Sequence, residues 1–261
     1  MEHVLKNLTT SHAMPAQRGS GTSAMTLLEM KVKTLNEKEG NLSGVKCPKC
    51  KDKGYIAFAK DNFLATRECD CMPKRRSIQR MKRSGLLGLL DAYTFDKFQT
   101  PESWQKSAKR SAMDFAENGM GKWFVVTGTP GTGKTHLCTS IASVLLGRGK
   151  EVRYMLWRNE APRLKAIVND RDWYEEEVME LKRVDVLYID DFFKGSVSDA
   201  DVNLAFEILN DRYNDRKCST IISSEKTIEE ILSIDEAIGS RMYERSKGYC
   251  LKMPQKNWRL R

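Results

Sequence analysis

The sequence predicts an α/β protein, in which helices cover both faces of a parallel sheet and a small four-cysteine module precedes the sheet. From about residue 91 onward, short apolar segments alternate with helical ones. These apolar segments are almost continuously apolar, as in strands that are buried on both faces. Upstream of them, four cysteines stand as two close pairs. A chain of 261 residues is long enough for one α/β domain and such an appendage.

The composition excludes several classes of protein. Hydrophobic residues make up 40% of the chain and charged residues 30%, which is typical of a globular protein rather than a disordered one. The longest apolar runs, such as WFVV at 123–126, are too short to cross a bilayer. The first residues lack the apolar stretch of a secretory signal. We therefore expect a cytoplasmic protein with no membrane partner.

The positive charge is concentrated in the N-terminal part of the chain. Residues 1–121 hold 21 Lys and Arg against 13 Asp and Glu, whereas residues 122–261 hold 23 against 22. A basic region beside a nearly neutral one indicates a polyanion or an acidic protein as the partner. A well-solvated basic surface is the alternative interpretation.

The region before the cysteines combines two kinds of sequence. Residues 1–23 are rich in Ser, Thr, Gly and Ala and predict a mobile tail. Residues 25–40 repeat apolar side chains at helical spacing and end at Gly40, which predicts a short amphipathic helix. Such a helix cannot bury its apolar stripe alone, so we expect it to pack on the next module or on a partner. The predicted parts of the chain are the tail and amphipathic helix (1–40), the four-cysteine module (41–72), a basic helical linker (73–91) and the α/β domain (92–261).

The four-cysteine module contains the motifs CPKC at 47–50 and CDC at 69–71. The residues between them predict a hairpin that begins at Gly54. Two thiolate pairs that face each other form the tetrahedral sulfur set that Zn²⁺ prefers, and such a closed site has a structural role. A redox pair or a disulfide is the alternative, and cytosolic chemistry disfavours the disulfide. The predicted zinc ligands are Cys47, Cys50, Cys69 and Cys71.

The remaining cysteines and the basic helix have separate interpretations. Three further cysteines stand on core-like segments and are predicted to be buried thiols: Cys138, Cys218 and Cys250. The predicted helix over 73–90 begins after Pro73, is broken near Gly85, and carries six Lys or Arg and no acid between positions 74 and 83. This basic cluster and two residues near the second strand, Arg163 and Lys165, are the candidates for contact with DNA.

The strands and helices of the α/β domain follow from the pattern of apolar residues. Strands are predicted at KWFVVTG, at EVRYMLW (151–157), at VDVLYIDD (184–191) and at STIISS (219–224), with helices at 134–147, over most of 160–183 and at 199–214.

The stretch GTPGTGKTHL at 128–137 predicts a phosphate-binding loop between the first of these strands and the first of these helices. Glycines allow backbone N–H groups to turn toward phosphate oxygens, and the following helix adds its positive N-terminal end. Lys134 would reach the β- and γ-phosphates of a nucleotide, and the Thr135 hydroxyl would ligate Mg²⁺. A plain glycine-rich turn is the alternative. The candidate nucleotide-binding residues are Gly128, Thr129, Pro130, Gly131, Thr132, Gly133, Lys134, Thr135 and His136.

Acidic and basic residues complete the predicted site. Asp190 and Asp191 end a strand, where Asp190 would hold Mg²⁺ through water and Asp191 would orient the attacking water. Two acids that merely end a strand are the alternative. Phosphoryl transfer also needs positive charge near the γ-phosphate. Arg241 and Arg245 lie four residues apart on a predicted helix and are candidates, with a surface salt bridge as the alternative.

The chain resembles the DnaC/DnaI family of replicative helicase loaders, which are AAA+ ATPases close to the DnaA initiators and the IstB transposition helpers. The segments that carry the resemblance are GTPGTGKTHL, VDVLYIDDF, TIISSEKTIEEIL, IGSRMYERSKG and NWRLR. The resemblance covers about residues 92–261. The four-cysteine module is similar to the zinc-bearing N-terminal region of DnaI-type and phage-encoded loaders.

The resemblance implies an AAA+ P-loop fold with specific roles for matching residues. It places Walker A at 128–135, Walker B at Asp190 and Asp191, and at Arg241 an arginine finger that acts on the neighbouring subunit. It also implies that the segment YTFDKF (93–98) lies near adenine. A sensor-2 arginine would be Arg259, and the sensor-1 contact would come from Ser224 or Glu225, where this sequence departs from the usual family pattern.

The implied function is ATP-dependent loading of a hexameric replicative helicase onto single-stranded DNA, with slow, assembly-dependent hydrolysis linked to release. The implied cofactors are ATP, Mg²⁺ and Zn²⁺, and subunits would assemble head to tail. One alternative is an IstB-like transposition helper, which the four-cysteine module disfavours. Another is a zinc-dependent adaptor that binds ATP but hydrolyses it weakly. A metabolic kinase would need neither the cysteine module nor the paired arginines.

Overall fold

The computed structural model describes residues 26–43, 46–83, 86–254 and 256–258. The predicted tail at 1–23 and the sensor-2 candidate Arg259 lie outside these residues. Among the described helices, none has the length and apolarity that crossing a bilayer requires.

The predicted amphipathic helix is α1 (Leu27–Glu37), and it packs on the four-cysteine module. Its N-terminus is fixed by Thr26, whose hydroxyl accepts from the Glu29 N–H while the Glu29 carboxylate accepts from the Thr26 N–H. Near its C-terminus, the Asn36 amide exchanges two hydrogen bonds of 2.8 and 2.9 Å with the backbone of Ala57. The helix thus contacts the next module, one of the two expected partners, but it does not bury its apolar side chains there, since Leu27 and Met30 stay exposed.

The residues between the two cysteine pairs form the predicted hairpin, of β1 (Tyr55–Lys60) and β2 (Phe63–Glu68). Its two-residue turn places Asp61 and Asn62 at φ 48° and 64°. Both angles match the hairpin turn that follows the right-handed twist of the strands, and Asp and Asn tolerate this left-handed conformation.

The predicted basic helix is α2 (Met72–Arg83), which begins one residue before Pro73 and is followed by α3 (Leu87–Leu90). Helix α2 lies on the edge of the main sheet rather than apart from it. The Ser77 hydroxyl is buried and accepts a 2.9 Å hydrogen bond from the Val152 N–H. The segment predicted as a linker is therefore in contact with the sheet, while the domain boundaries themselves stay a prediction.

Within the described residues, the main sheet contains five parallel strands in the order β4–β5–β6–β3–β7, so the predicted α/β fold with a parallel sheet is confirmed. The helices that precede or connect its strands cover both faces. In chain order the elements are α4 (Ser103–Asn118), β3 (Trp123–Thr127), α5 (Lys134–Gly147), β4 (Val152–Leu156), α6 (Trp157–Ala166), α7 (Arg171–Arg183), β5 (Val186–Phe192), α8 (Asp199–Asn214), β6 (Ser219–Ser224), α9 (Ile228–Ile234), α10 (Glu236–Arg245) and β7 (Cys250–Lys252).

Successive residues of β3 show how the two faces are filled. Phe124 and Val126 belong to the apolar cluster with α4 and α5, whereas Trp123 and Val125 belong to the cluster with α6 to α10. All four side chains are fully buried. Because successive side chains of a strand point to opposite faces, a strand covered on both sides must be apolar throughout.

Candidate functional site

The stretch 128–137 forms a tight loop between β3 and α5, with Lys134 as the first residue of the helix. Gly131 and Gly133 adopt φ of 79° and 90°, a region that side-chain-bearing residues rarely occupy. A Cβ at Gly131 would also collide with the side chain of Asn257, and one at Gly133 would press on the ring of Phe98. The loop therefore needs glycine at both positions, for conformation and for space.

Lys134 is folded back over this loop. Its ammonium donates to the carbonyl oxygens of Gly128 at 2.7 Å and of Thr129 at 3.0 Å. Burial lowers the pKa of Lys134, although the carboxylates nearby oppose that shift. A cation held at the centre of such a loop is placed to exchange its carbonyl partners for phosphate oxygens.

Asp190 lies at the end of β5 and reaches the start of α5. Its carboxylate accepts from the Thr135 hydroxyl at 3.3 Å, from the Tyr154 hydroxyl at 3.3 Å, and from the Ser223 hydroxyl. Burial raises the pKa of Asp190 above its ordinary value. A hydroxyl and a carboxylate oxygen are suitable ligands for Mg²⁺, so this pair can hold the ion that accompanies a nucleotide.

Asp191 follows at φ 55° and is held by a lysine that sequence reasoning missed. The Lys194 ammonium lies 3.0 Å from the Asp191 carboxylate and 2.9 Å from that of Glu225. The signal that could have found Lys194 is its position three residues after Asp191, just beyond the predicted strand at 184–191. Asp191 is therefore ion-paired with Lys194.

These residues surround one cavity of about 260 Å³. The phosphate loop forms one part of its lining, and Tyr93, Asp191, Lys194, Glu225 and Trp258 form the rest. The cavity therefore joins a cationic loop, a strand-end carboxylate and two aromatic side chains, which is a suitable combination for a nucleotide.

The segment 93–98 lies against the start of α5. The Tyr93 ring stacks on the His136 imidazole with centroids 4.9 Å apart, and the Phe98 ring meets the imidazole edge-on at 5.1 Å. His136 Nε2 donates to the Thr94 carbonyl at 2.8 Å, because a carbonyl oxygen only accepts. Burial lowers the pKa of His136, which favours the neutral ring.

The serines at the end of β6 divide between two roles. Ser223 contacts Asp190, whereas Ser224 donates to the Phe192 carbonyl at 2.8 Å and is fully buried. Of the two sensor-1 candidates, Glu225 thus faces the cavity and Ser224 does not. Sequence reasoning missed Ser223, because the strand pattern alone does not tell which of two neighbouring serines contacts Asp190.

The two candidate arginines differ sharply. Arg245 is buried, and its guanidinium donates to the carbonyl oxygens of Tyr213, Gly121 and Cys218. Arg241 lies near the rings of Phe206 and Tyr213, with its guanidinium carbon 5.1 and 5.4 Å from their centroids. Neither arginine lines the cavity of its own chain. Arg245 thus joins segments of its own chain, while the predicted action of Arg241 on a neighbouring subunit stays a prediction.

The four predicted zinc ligands converge at the open end of the hairpin. The Cys47 and Cys69 sulfurs are 3.7 Å apart, those of Cys50 and Cys71 are 3.6 Å apart, and all four lie within 4.8 Å of one another. Four ligands about 2.3 Å from a tetrahedral zinc ion would be separated from each other by about 3.8 Å. The arrangement is suitable for one metal ion that is fully coordinated by protein.

Of the three remaining cysteines, two agree with the prediction that they are buried. Cys138 and Cys218 are buried as predicted, but Cys250 is exposed because its strand lies at the edge of the sheet, so that prediction was wrong.

Arg163 pairs with two glutamates of α6 and α7, and Lys165 pairs with Asp201 at 2.6 Å. Arg163 and Lys165, two of the candidates for contact with DNA, are thus ion-paired within the chain, and contact with DNA stays a prediction.

A family model described as an IstB-like ATP binding protein matches residues 54–261. The chain belongs to this IstB-like ATP-binding family. The chain is 29% identical over 225 residues to the phage-like element PBSX protein XkdC of Bacillus subtilis. This match covers 81% of the chain and 83% of XkdC. It is 27% identical over 200 residues to the replicative helicase loader DnaC of Escherichia coli K12, with 76% and 77% covered.

Solved structures show the same fold. AMPPCP-bound DnaA from Aquifex aeolicus matches with a TM-score of 0.54 and 22% identity over 63% of the IstB-like chain, which spans about half (51%) of that DnaA chain. The crystal structure of the DnaC helicase loader matches with a TM-score of 0.51 and 21% identity, covering 64% of the IstB-like chain and 98% of the DnaC chain. The resemblance drawn from the sequence motifs is thereby confirmed, as is the AAA+ fold.

Proposed function

We propose that this protein is an ATP-dependent loader that places a hexameric replicative helicase on single-stranded DNA. The observation that carries the proposal is the presence, in one chain, of a phosphate loop with a Thr135–Asp190 pair and of a separate closed four-sulfur site. The loop would make the conformation of the protein depend on the bound nucleotide. The module around the four-sulfur site would supply a second folded surface for a partner. The similarity to curated helicase loaders over about three quarters of the chain supports the same conclusion.

The chemistry at the cavity would be hydrolysis of ATP. Lys134 would neutralise the β- and γ-phosphates, while Thr135 and Asp190 would hold Mg²⁺. Asp191 would orient the attacking water, and for this it must release Lys194, which now lies 3.0 Å away. Such a restraint is consistent with a slow basal rate.

Assembly would supply the missing positive charge. Arg241 of one subunit would reach the γ-phosphate bound by the next subunit, which makes turnover depend on a head-to-tail contact. A solved DnaA structure is described as bound to AMPPCP and single-stranded DNA. For this chain, single-stranded DNA is proposed as the polyanion attracted by its excess of positive charge in residues 1–121. The setting we propose is the cytoplasm.

The four-cysteine module would bind one structural Zn²⁺. The exposed side of its hairpin, together with α1, would contact the helicase. Phe63 is 75% exposed at the hairpin tip, and Leu27 is 76% exposed on α1. Apolar side chains so exposed are available for a protein contact.

The experiment that tests the proposal mixes the purified protein with the replicative helicase of its host, in ATP and in ADP, and measures the mass of the product. We expect the wild-type protein to form a stoichiometric complex with the helicase. In the presence of ATP, the Lys134→Ala variant should fail to form this complex. Arg241→Ala should keep ATP binding and lose assembly-dependent turnover. Arg171→Ala is the matched control, because Arg171 is 87% exposed and pairs only with Glu175 four residues away among the described contacts. No complex with either nucleotide would reject the loader.

A second candidate is an ATPase that assists a transposase, which the match to the IstB-like family model favours. Binding to a transposase with target DNA, in the absence of any complex with the helicase, would establish this function instead.

A further inference from the structure

The described residues after β7, 253–254 and 256–258, turn back over the phosphate loop. The Met253 N–H donates to the Thr127 carbonyl at 2.7 Å, and the Trp258 N–H donates to the Gly131 carbonyl at 3.1 Å. The side chain of Asn257 packs so closely on Gly131 that a Cβ at that glycine would collide with it. Residues 256–258 thus lie directly on the loop; we refer to these three residues as the strap.

The strap is also fastened to the start of α4. The Lys256 ammonium lies 2.7 and 2.9 Å from the two carboxylate oxygens of Glu102. The Trp104 indole N–H donates to the same carboxylate at 2.6 Å, and the Trp104 and Trp258 rings lie 6.4 Å apart. Glu102 is the N-cap residue of α4, whose buried face includes Ala112 and Phe115. The fastening point therefore belongs to a helix that the core holds in place.

We propose that the strap closes the nucleotide cavity and that Trp258 contacts the bound nucleotide. This inference rests on the proposed ATP site. Trp258 lines the cavity that also contains Lys134 and His136. An indole face beside a nucleotide can stack on the base or cover the ribose. Because Lys256 is paired with Glu102, the strap stays over the cavity, and release of a nucleotide requires the strap to move aside.

The role of Trp258 is tested by tryptophan fluorescence. The chain has five tryptophans, of which Trp258 alone among the described ones lines the cavity, while Trp123 and Trp157 are buried in the core. Addition of ADP should change the emission of the wild-type protein. Most of that change should disappear in Trp258→Phe, which retains an aromatic ring and so keeps the packing on Trp104. An unchanged emission response in Trp258→Phe would overturn the contact.

The role of the fastening is tested by dissociation of the fluorescent methylanthraniloyl derivative of ADP, chased with unlabelled ADP. Lys256→Met and Glu102→Gln should each speed dissociation about two- to fivefold, the range expected from losing a partly exposed ion pair. Trp258→Ala should speed it about tenfold, because an aromatic contact with the nucleotide is lost. Lys252→Met is the matched control. Lys252 lies on the edge strand β7, its ammonium is 4.0 Å from Glu229 of α9, and its side chain is 70% exposed, so this change should leave the rate unchanged.

The outcomes separate the strap from the ATP site itself. Wild-type dissociation rates in Lys256→Met, Glu102→Gln and Trp258→Ala, with normal binding by the wild type, would overturn the strap and leave the proposed ATP site standing. Failure of the wild-type protein to bind the labelled ADP would overturn both. The urea midpoint of each variant reports whether a faster rate comes from a damaged fold, and Trp258→Phe keeps the test decisive if Trp258→Ala does not fold.

Discussion

The four-cysteine module and the main sheet are stabilised in different ways. In the main sheet, two apolar clusters lie on opposite faces. One combines side chains of the strands with those of α4 and α5, and the other combines side chains of the strands with those of α6 to α10. In the described part of the module, the buried side chains of the hairpin region are Ala57 and three of the four cysteines, with Ile56 partly buried beside them. A unit this small cannot bury enough apolar surface to offset its conformational entropy. Metal ligation is the means by which such units usually become stable.

The largest effect should follow from removing the metal. Chelation of zinc, or Cys69→Ser, should unfold the module and leave the main sheet folded, because apparent zinc affinities of such sites are on the order of 10–16 kcal/mol. Hydrogen exchange of the β1 and β2 amides, compared with those of β3 and β6, measures this directly. Cys250→Ser is the control, since Cys250 is exposed and far from the cluster in sequence. Equal loss of protection in both regions would show that they form a single cooperative unit.

A matched pair of phenylalanines measures the contrast in apolar burial. Phe124→Ala should destabilise the protein by about 3–5 kcal/mol, because Phe124 is fully buried in the main sheet. Phe63→Ala should change stability by no more than about 0.5 kcal/mol, because Phe63 is 75% exposed at the hairpin tip. Urea unfolding followed by circular dichroism gives both values. A large loss in Phe63→Ala would mean that the tip packs on another part of the chain.

Arg75 offers a way to loosen the module without touching its cysteines. It extends from α2, is only 5% exposed, and donates to the carbonyls of Leu42 and Ser43 and to the Asp52 carboxylate. In Arg75→Met these acceptors lose a charged donor, so the amide of Leu42 should exchange about tenfold faster. Arg67→Met, a change of an exposed arginine on β2, is the control. Equal exchange in both variants would contradict a clamping role for Arg75.

The smallest effect is expected at the contact between the two regions. Arg76 joins Glu68 of the hairpin, at 2.6 Å, to Glu151 just before β4, at 3.0 Å. Its side chain is 37% exposed, so water and salt screen the interaction. Arg76→Met should speed exchange of the Val152 amide about twofold at low salt, with the difference vanishing at high salt. Lys82→Met on the same helix should show no such dependence; if it does, general charge rather than this bridge is responsible.

Both the main sheet and the four-cysteine module contain features that could be predicted from sequence. The strand at 219–224 and the helices at 134–147 and 199–214 have the predicted bounds, because their apolar patterns are long and continuous. The hairpin and the convergence of the four sulfurs follow from motif spacing, which local geometry fixes. Cys250 was wrongly predicted to be buried, since an apolar neighbourhood in sequence does not tell whether a strand is central or at an edge.

The two arginines of α10 show most clearly what the sequence does not predict. Arg241 and Arg245 stand in one motif, and their spacing suggests equivalent positions on a helix face. In the structure Arg245 donates to three carbonyls and is buried, whereas Arg241 lies beside two aromatic rings. A buried guanidinium needs acceptors from several segments, and these come from chain positions as distant as Gly121. The residues around Arg245 in the sequence therefore do not predict that these carbonyl oxygens will surround it.

The sequence by itself determined the parallel-sheet fold, the phosphate loop and the cysteine quartet. Each depends on residue types at short, fixed spacing, where glycine conformation, apolar alternation or thiol chemistry acts locally. The tertiary structure alone decided that Lys194 restrains Asp191, that Ser223 rather than Ser224 contacts Asp190, and that residues 256–258 cover the phosphate loop. These contacts join segments far apart in the chain or depend on which way a strand-end side chain points. Only the packed sheet and its crossing segments fix those directions.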